Sequence, residues 1–374
     1  MTINQNLRLP YVDLAASYLI EQKEILDICD KVFKSGRLVL GEALWSLESE
    51  LTDYIGGGKV IALRSGTDAL IIALKAAGIG PGDEVITAPN SFIATAGAIV
   101  AVGATPKFVD VAADMNINPS LIEAQITDRT KAIVPVHLTG RVAKMDQISA
   151  IANKHDLAII EDAAQSIGAK FKGKSSGTFG SFACFSAHPL KNLAAMGDAG
   201  FLVINDDTFN VDEVRQYRNH GLVDRSTQAS WGINCRLDVL QCRILSHRLK
   251  SLDNANLRRR EIADIYAQTL DQRLLEIPKE SEHEFNVYHT YTIKTPHRDT
   301  LKEQLNTIGI GSAIHYPTPI HLQAPSRLLG YKVGDFPVTE RLAMESLALP
   351  VQPHLTDEQI EIISTSINNI LSSL

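Results

Sequence analysis

Three polar clusters in the sequence carry side chains that can bind an anion, a ring nitrogen or an aldehyde. The segment Arg64–Asp68 contains a glycine and hydroxyl groups at a predicted helix start, where free backbone N–H groups favour an anion. Asp162 lies at the end of a predicted strand, where a carboxylate in a cleft can pair with a protonated ring nitrogen. The amine of Lys191 can form a Schiff base with an aldehyde where it is desolvated, and Ser186 can donate to a phosphate.

Each cluster, taken alone, also has an ordinary structural explanation. The first resembles a plain helix cap, Asp162 a solvated acid at a strand end, and Lys191 a surface lysine. Their order favours chemistry, because a phosphate turn, a carboxylate and a lysine each follow a predicted strand of one sheet. Pyridoxal phosphate requires this set, since a carboxylate beside its pyridine nitrogen keeps the ring charged and able to withdraw electrons from a carbanion.

The elements that must position these clusters are short apolar segments separated by helical stretches. The predicted strands are Lys59–Leu63, Glu84–Pro89, Pro106–Val111, Ala132–Leu138, Ala158–Asp162, Ser181–Ser186 and Gly200–Asn205. The predicted helices between them are Asp68–Ala77, Thr95–Val102, Pro119–Gln125 and Met145–His155. Near-continuous apolar strands spaced by helices indicate an α/β domain with a mostly parallel seven-stranded sheet, which binds ligands at the carboxyl ends of its strands.

The remainder of the chain predicts a second, smaller domain. Leu237–Leu270 has a helical pattern rich in Leu and Arg, which suits a long connector. Beyond it we predict strands and helices in an α+β arrangement: strands Tyr288–Thr295 and Ile310–Tyr316, and helices Asp299–Ile308 and Asp357–Ser372. The predicted division is residues 1–245 for the large domain with an N-terminal arm, and 246–374 for the small C-terminal α+β domain.

Composition narrows the classes of function. The 374 residues are 45% hydrophobic and 21% charged, enough for a sizeable core, and the net charge of −7 argues against nucleic-acid binding. The four cysteines lack the paired C-x-x-C spacing of a zinc or redox site, so no metal is expected. We find neither a signal peptide nor an apolar stretch as long as a membrane span, and therefore expect a cytoplasmic protein without membrane partners.

The sequence resembles the DegT/DnrJ/EryC1/StrS family of sugar aminotransferases over nearly its whole length. The stretches that carry the resemblance include VDLAASY, SGRLVLG, RSGTDALIIALKAAGIGPGDEVITAPNSFIATAGAI, IIEDAAQSIGA, FSAHPLKNLAAMGDAGFLV, NCRLDVLQCRIL and HYPTPIHLQ. Because so many motifs occur in the same order as in that family, a chance resemblance is negligible. The resemblance implies the fold type I of pyridoxal-phosphate-dependent transferases and pyridoxal 5′-phosphate as the cofactor.

The resemblance also implies a role for individual residues. Lys191 forms the Schiff base with the cofactor and moves the proton during transfer, with His188 near enough to assist. The implied cofactor contacts are Gly66, Thr67 and Ser186 at the phosphate, Asp162 at the pyridine nitrogen, Gln165 beside the ring hydroxyl, and Phe92 on the ring face. Asn234 reaches the phosphate of the neighbouring subunit's cofactor, which implies a homodimer with composite active sites.

Substrate contacts follow from the same resemblance. His188, His315, Tyr316 and His321 match positions near the sugar or its diphosphate, although a packing role is an equal alternative for His315 and His321. Gly197–Gly200 contains an aspartate that resembles enzymes aminating carbon three of the sugar, whereas the His-Pro pair before Lys191 also occurs in carbon-four enzymes. Cys235 replaces the usual aromatic residue and leaves Asn234 intact. The sequence therefore leaves undecided which carbon of the sugar receives the amine.

These features predict an aminotransferase that takes an amino group from glutamate and delivers it to a nucleotide-linked keto-sugar by a ping-pong mechanism, for amino-sugar biosynthesis. One alternative is an aminotransferase for a free keto-cyclitol such as an inosose. A second is a non-catalytic regulatory homologue, which the filled cofactor positions disfavour. A sugar dehydratase on the same scaffold is disfavoured because those relatives have histidine where this chain has Lys191.

Overall fold

The computed structural model describes residues 8–374, and its centre is a seven-stranded sheet with the order β1-β9-β8-β5-β4-β2-β3. These strands are β1 (Lys59–Leu63), β2 (Glu84–Thr87), β3 (Thr105–Phe108), β4 (Thr130–Ile133), β5 (Ala158–Asp162), β8 (Phe182–Ser186) and β9 (Gly200–Ile204). β9 runs antiparallel to β1 and to β8, and the other pairs are parallel. The predicted mostly parallel sheet is confirmed.

Twelve α-helices occur in the described residues, and several of them cover this sheet. They are α1 (Leu14–Ile20), α2 (Gln22–Ser35), α3 (Glu42–Ile55), α4 (Gly66–Ala76), α5 (Ile93–Ala101), α6 (Met145–Lys154), α7 (Val211–Tyr217), α8 (Val239–Leu249), α9 (Leu252–Thr269), α10 (Arg298–Thr307), α11 (Pro337–Glu345) and α12 (Asp357–Ser372). Apolar residues of α3, α4 and α5 pack on the two buried faces of the strands. Most strand residues are correspondingly buried and many are apolar, as expected for a sheet that is covered on both faces.

Two smaller sheets complete the strand set. β11 (Tyr291–Lys294) and β12 (Ser346–Leu349) form an antiparallel pair that packs with α9, α10 and α12. β6 (Lys170–Phe171), β7 (Lys174–Ser175) and β10 (Glu284–Phe285) form a three-stranded sheet of two-residue strands. The predicted boundary at 245/246 falls inside α8 and stays a prediction. No helix of residues 8–374 is long and apolar enough to cross a membrane.

Three predicted elements differ from the structure. Ile310–Tyr316 is not a strand, because the chain makes only isolated bridges there, from Ile310 to Leu9 and from Ala313 to Ala348. The N-terminal segment crosses at this point, where a Cβ on Gly311 would lie 2.3 Å from the backbone nitrogen of Tyr11.

The other two differences concern helices. Pro119–Gln125 forms two three-residue 3₁₀ turns, Pro119–Leu121 and Glu123–Gln125, with i→i+3 hydrogen bonds instead of an α-helix. The predicted connector Leu237–Leu270 is divided into α8 and α9 at Lys250–Ser251.

Register brings the carboxyl ends of three strands together. Leu63 of β1 and Ser186 of β8 both pair with Gly200 of β9, and Asp162 of β5 pairs with Cys184. The segments that follow these strands therefore meet at one edge of the sheet, although β1 is far from the other two strands in sequence.

Candidate active site

The first part of the site is the turn between β1 and α4. Ser65 caps α4, since its Oγ accepts a hydrogen bond of 3.0 Å from the backbone N–H of Asp68. The N–H groups of the first helical residues, Gly66 and Thr67, are thereby left for an anion. A Cβ on Gly66 would lie 2.9 Å from the Cβ of Ser186, so only glycine lets this turn approach the Ser186 hydroxyl so closely. This cradle suits a phosphate.

The second part is the carboxylate of Asp162 at the end of β5. Its Oδ2 accepts a hydrogen bond of 2.7 Å from the hydroxyl of Thr95, and its Oδ1 accepts one of 3.2 Å from the N–H of Ala164. Burial raises the pKa of Asp162, while these two donors and the charge of Lys191 oppose the rise. The carboxylate is thus buried, fixed in direction, and next to a cation. Sequence reasoning missed Thr95, which lies 67 residues away in the chain.

Gln165 lies beside this carboxylate and is also fixed. Its Oε1 accepts a hydrogen bond of 2.7 Å from the N–H of Thr139, so its amide NH₂ is directed away from that backbone group. Thr139, whose N–H makes this hydrogen bond, adopts a positive φ of 64°. Gln165 can therefore donate to a ring hydroxyl from a defined position.

Lys191 follows β8 in a tight turn, in which its backbone N–H donates to the carbonyl of His188 at 2.8 Å. Burial lowers the pKa of Lys191 to about 8, and the nearby Asp162 carboxylate partly offsets this effect. The next residue anchors the turn, because the amide of Asn192 donates to Asn256 Oδ1 at 2.9 Å and to the carbonyl of Val287 at 3.0 Å. A lysine with this lowered pKa supplies a neutral amine near physiological pH, as a Schiff-base lysine must.

These parts line one cavity of about 1240 Å³. Ten of the twelve residues predicted for the site contribute to its lining: Gly66, Thr67, Phe92, Asp162, Gln165, Ser186, His188, Lys191, His315 and Tyr316. The ring of Phe92 lies 5.7 Å from that of Tyr316 and is 56% exposed. The sequence clusters therefore converge in space on a single site.

Asn234 and His321 do not line this cavity. Asn234 is exposed on the surface, in a segment whose backbone bridges to Asn219. His321 is buried, its Nε2 lies 3.0 Å from Oε1 of Glu340, and its ring packs edge-on against Phe336. Its ring is thus held among core residues, which is the packing role named above as the alternative.

Apart from His315 and Tyr316, sequence reasoning missed the C-terminal contribution to the cavity. Arg259 of α9, His289 before β11, and Gln352 after β12 line it together with Tyr11 of the N-terminal segment. Burial, with nearby positive charge, lowers the pKa of His289 well below its ordinary value. Burial also lowers the pKa of His315 to about 4, and the charge of Lys191 adds to this effect. Both imidazoles are neutral near pH 7 and are available as uncharged hydrogen-bonding groups.

The residues present fit pyridoxal 5′-phosphate. A backbone cradle that a Cβ would fill suits the phosphate, a fixed buried carboxylate suits the pyridine nitrogen, and a lysine of lowered pKa suits the aldehyde. This geometry at the carboxyl edge of a mostly parallel sheet defines a fold type I enzyme that depends on pyridoxal phosphate.

Comparison with known proteins gives the family. Residues 19–368 match the model of the DegT/DnrJ/EryC1/StrS aminotransferase family, and the chain belongs to that family. A UDP-N-acetyl-3-dehydro-alpha-D-glucosamine 3-aminotransferase of Acidithiobacillus ferrooxidans is 42% identical over 99% of this chain and 100% of its own. A Geobacillus stearothermophilus relative named pleiotropic regulatory protein is 43% identical over 94% of this chain and 96% of its own.

Solved structures agree with this assignment. S. venezuelae DesV, determined in complex with a ketimine intermediate, superimposes with a TM-score of 0.95 at 36% identity and covers 98% of this chain and 100% of its own. A Bacillus subtilis protein, ntda, solved with bound cofactor PMP, has a TM-score of 0.89 at 31% identity, with 99% of this chain and 87% of that chain covered. The protein is a pyridoxal-phosphate-dependent aminotransferase.

Proposed function

We propose that this enzyme transfers the amino group of glutamate to carbon three of a nucleotide-linked 3-keto-sugar, for the synthesis of an amino sugar. The observation that carries the transfer chemistry is the cavity that joins Lys191, the Asp162 carboxylate and the Gly66–Ser186 cradle. Carbon three is supported by the 42% identical Acidithiobacillus relative, whose name specifies a 3-dehydro sugar and a 3-aminotransferase.

The proposed roles of the chain's own groups follow from their positions. When bound, pyridoxal phosphate accepts the amino group and stabilises the carbanion formed at the reacting carbon. Asp162 holds a positive charge at the ring nitrogen, and the Gly66 and Thr67 N–H groups with the Ser186 hydroxyl bind the phosphate. The neutral amine of Lys191 takes a proton from the reacting carbon and returns it. His315 and Tyr316 face the same space and are proposed to contact the sugar.

We also propose that the active enzyme is a homodimer. Asn234 lies outside the cavity of its own chain on a surface with exposed apolar side chains, including Trp231 at 89% and Ile233 at 39% exposure. Phe92, at the cavity itself, is 56% exposed. Exposed apolar side chains near a binding cavity mark a surface that a partner covers. A second copy of the chain, covering this surface, would place its Asn234 at the neighbouring cofactor phosphate.

The function is tested in two stages with the cofactor-loaded protein. Adding glutamate should bleach the visible absorbance of the Schiff base within one turnover. Nucleotide-linked 3-keto and 4-keto sugars and a free inosose are then supplied with glutamate, and products are identified by mass spectrometry. Amination of a 3-keto-sugar alone is expected. A product only from 4-keto-sugars, or only from the cyclitol, would overturn the carbon-three assignment.

The composite site is tested with two inactive variants. Lys191→Ala and Asn234→Ala protomers are purified separately and then mixed after mild dissociation. If each cavity receives Asn234 from the partner, a mixed dimer contains one site with both residues intact, and activity returns. Mixtures that remain as inactive as the two parents would contradict the dimer proposed.

A regulatory role is the alternative suggested by the name of the Geobacillus relative. The same spectral experiment separates the two, because a protein without catalysis would show no glutamate-dependent bleaching. The complete set of cofactor-binding groups in the cavity favours the enzyme.

A further inference from the structure

One cation in the cavity has no role in the chemistry described so far. Four lysine and arginine residues line the cavity: Lys191, Arg248, Lys250 and Arg259. Lys191 is assigned to the cofactor, Arg248 is paired with Glu21, and Lys250 is exposed. Arg259 forms no ion pair with any carboxylate of residues 8–374, and its Nε is buried without a hydrogen-bond partner there. A buried charged donor left unpaired is costly unless a ligand satisfies it.

The rest of the guanidinium is held firmly in place. Nη1 donates to the carbonyl of Val351 at 3.0 Å and to that of Tyr288 at 3.3 Å. These hydrogen bonds involve only Nη1, and they fix the plane of the guanidinium without neutralising its charge. Burial lowers the pKa of Arg259 to about 10, so the group remains a cation at neutral pH.

A short chain of contacts places this cation near the reacting lysine. Tyr288, which accepts from Arg259, is followed by His289, whose Nδ1 lies 3.3 Å from Oδ1 of Asn192. Asn192 directly follows Lys191. Arg259 and Lys191 both line the cavity, and these neighbouring residues connect them. His289 lies close enough to both cations that the charge of each lowers its pKa.

We propose that Arg259 binds a carboxylate of the amino-acid donor, which makes it the residue that selects an amino acid for the first half of the reaction. The inference rests on the proposed function only in taking an amino acid as the donor. A planar guanidinium with free N–H groups matches a carboxylate in geometry and charge. The sugar has no need of this contact, because the keto-sugar arrives after the amino acid has left. Arg259 therefore acts on one substrate and is not used for the other.

The test uses the cofactor-loaded protein and four chains: wild type, Arg259→Gln, Arg259→Lys and Arg260→Gln. Arg260 is the matched control, since it is one residue away on α9, is paired with Glu280, and does not line the cavity. The rate of glutamate-dependent bleaching is measured against glutamate concentration. Binding of succinate, a dicarboxylate that cannot react, is measured by calorimetry on the same preparations.

Arg259→Gln should raise the glutamate concentration for half-maximal rate, and the succinate dissociation constant, by roughly 10- to 150-fold, the range for a hydrogen bond to a charged group. The maximal rate should change far less, because the contact binds donor and transition state alike. Arg259→Lys should recover part of the affinity, and Arg260→Gln should match wild type.

Two results would overturn the inference. One is a half-saturating glutamate concentration and a succinate affinity within about twofold of wild type in Arg259→Gln, well below the expected range. The other is a fall in maximal rate with unchanged half-saturation, which indicates that Arg259 only supports the Tyr288 and Val351 loops. If glutamate fails but another amino acid bleaches the cofactor, the proposed donor is wrong, and the Arg259 dependence is measured with that amino acid instead.

Discussion

The two sides of the cavity differ in how completely their polar groups are satisfied. On the sheet side, Asp162 accepts two hydrogen bonds, Gln165 accepts a third, and the Gly66 turn is fixed by the Ser65 cap. On the C-terminal side, both Arg259 Nε and His315 Nδ1 are buried and lack partners among the described residues.

This difference indicates two kinds of binding. A cofactor that stays bound needs a rigid site, and hydrogen bonds that fix the sheet-side groups in advance reduce the cost of ordering them. Two successive substrates that enter and leave need groups that are free to bind them, and the unpaired groups on the C-terminal side are each available to one of the two substrates. Substitutions on the sheet side should therefore impair both half-reactions, and substitutions on the C-terminal side should impair one.

The largest effect is expected from Lys191→Ala, which removes the covalent attachment and the proton-transfer group together. We expect both half-reactions to fall by on the order of 10⁴-fold or more. The loss in the first half-reaction is measured by the absorbance change after glutamate is added, and the loss in the second by the amount of product formed. Lys170→Ala, at an exposed lysine of β6, controls for loss of a lysine. Retained turnover in Lys191→Ala would refute the assignment of Lys191.

Asp162→Asn should have the next largest effect. Asparagine can still accept from Thr95, but it lacks the charge that stabilises a protonated ring nitrogen. We expect both maximal half-reaction rates to fall by roughly 10²- to 10³-fold, as for other groups that stabilise transition-state charge. Asp146→Asn, at the partly exposed start of α6, is the control. A loss confined to one half-reaction would break the contrast between the two sides.

The lowered pKa of Lys191 predicts a pH dependence for cofactor loading. The neutral amine is the form that bonds to an aldehyde, and with a pKa of about 8 its population rises as pH rises through that value. Loading of the cofactor-free protein should accelerate about tenfold between pH 7 and pH 9 and then level off. The rate of loading is measured by following the absorbance of the Schiff base after the cofactor-free protein is mixed with pyridoxal phosphate. A rise that continues to pH 10 or above would indicate an ordinary, solvated lysine.

The smallest effect is expected from His315→Asn on the C-terminal side. The imidazole is neutral near pH 7, so the substitution removes one uncharged hydrogen bond to the sugar. We expect the half-saturating keto-sugar concentration to rise about fivefold. The glutamate half-reaction should be unaffected. Steady-state kinetics with the keto-sugar identified in the screen measure the change in its half-saturating concentration. An equal loss of affinity for glutamate would show that His315 affects the whole site and not the sugar alone.

Much of the sheet side was predictable because its signals are local. Most of the seven strands are largely apolar runs of four or five residues. Asp162 is the last residue of one of them, and Gly66 and Lys191 lie in the short segments that follow two others. The C-terminal side gave weaker signals, since Ile310–Tyr316 has the composition of a strand yet forms only isolated bridges where the N-terminal segment crosses it. Arg259 lies between two other arginines, and nothing in RRR distinguishes the one that faces the cavity.

The sequence by itself predicted the α/β sheet from its strand pattern, and the resemblance of its motifs gave the family, the fold type and candidate residues for holding pyridoxal phosphate, because both signals are encoded over a few neighbouring residues. Only the tertiary structure decided that Thr95 fixes Asp162, that His321 is turned into the core, and that Arg259 is left unpaired in the cavity. Each of these depends on contacts between distant segments. Burial and pairing are properties of the packed chain, so they emerge only when those segments meet.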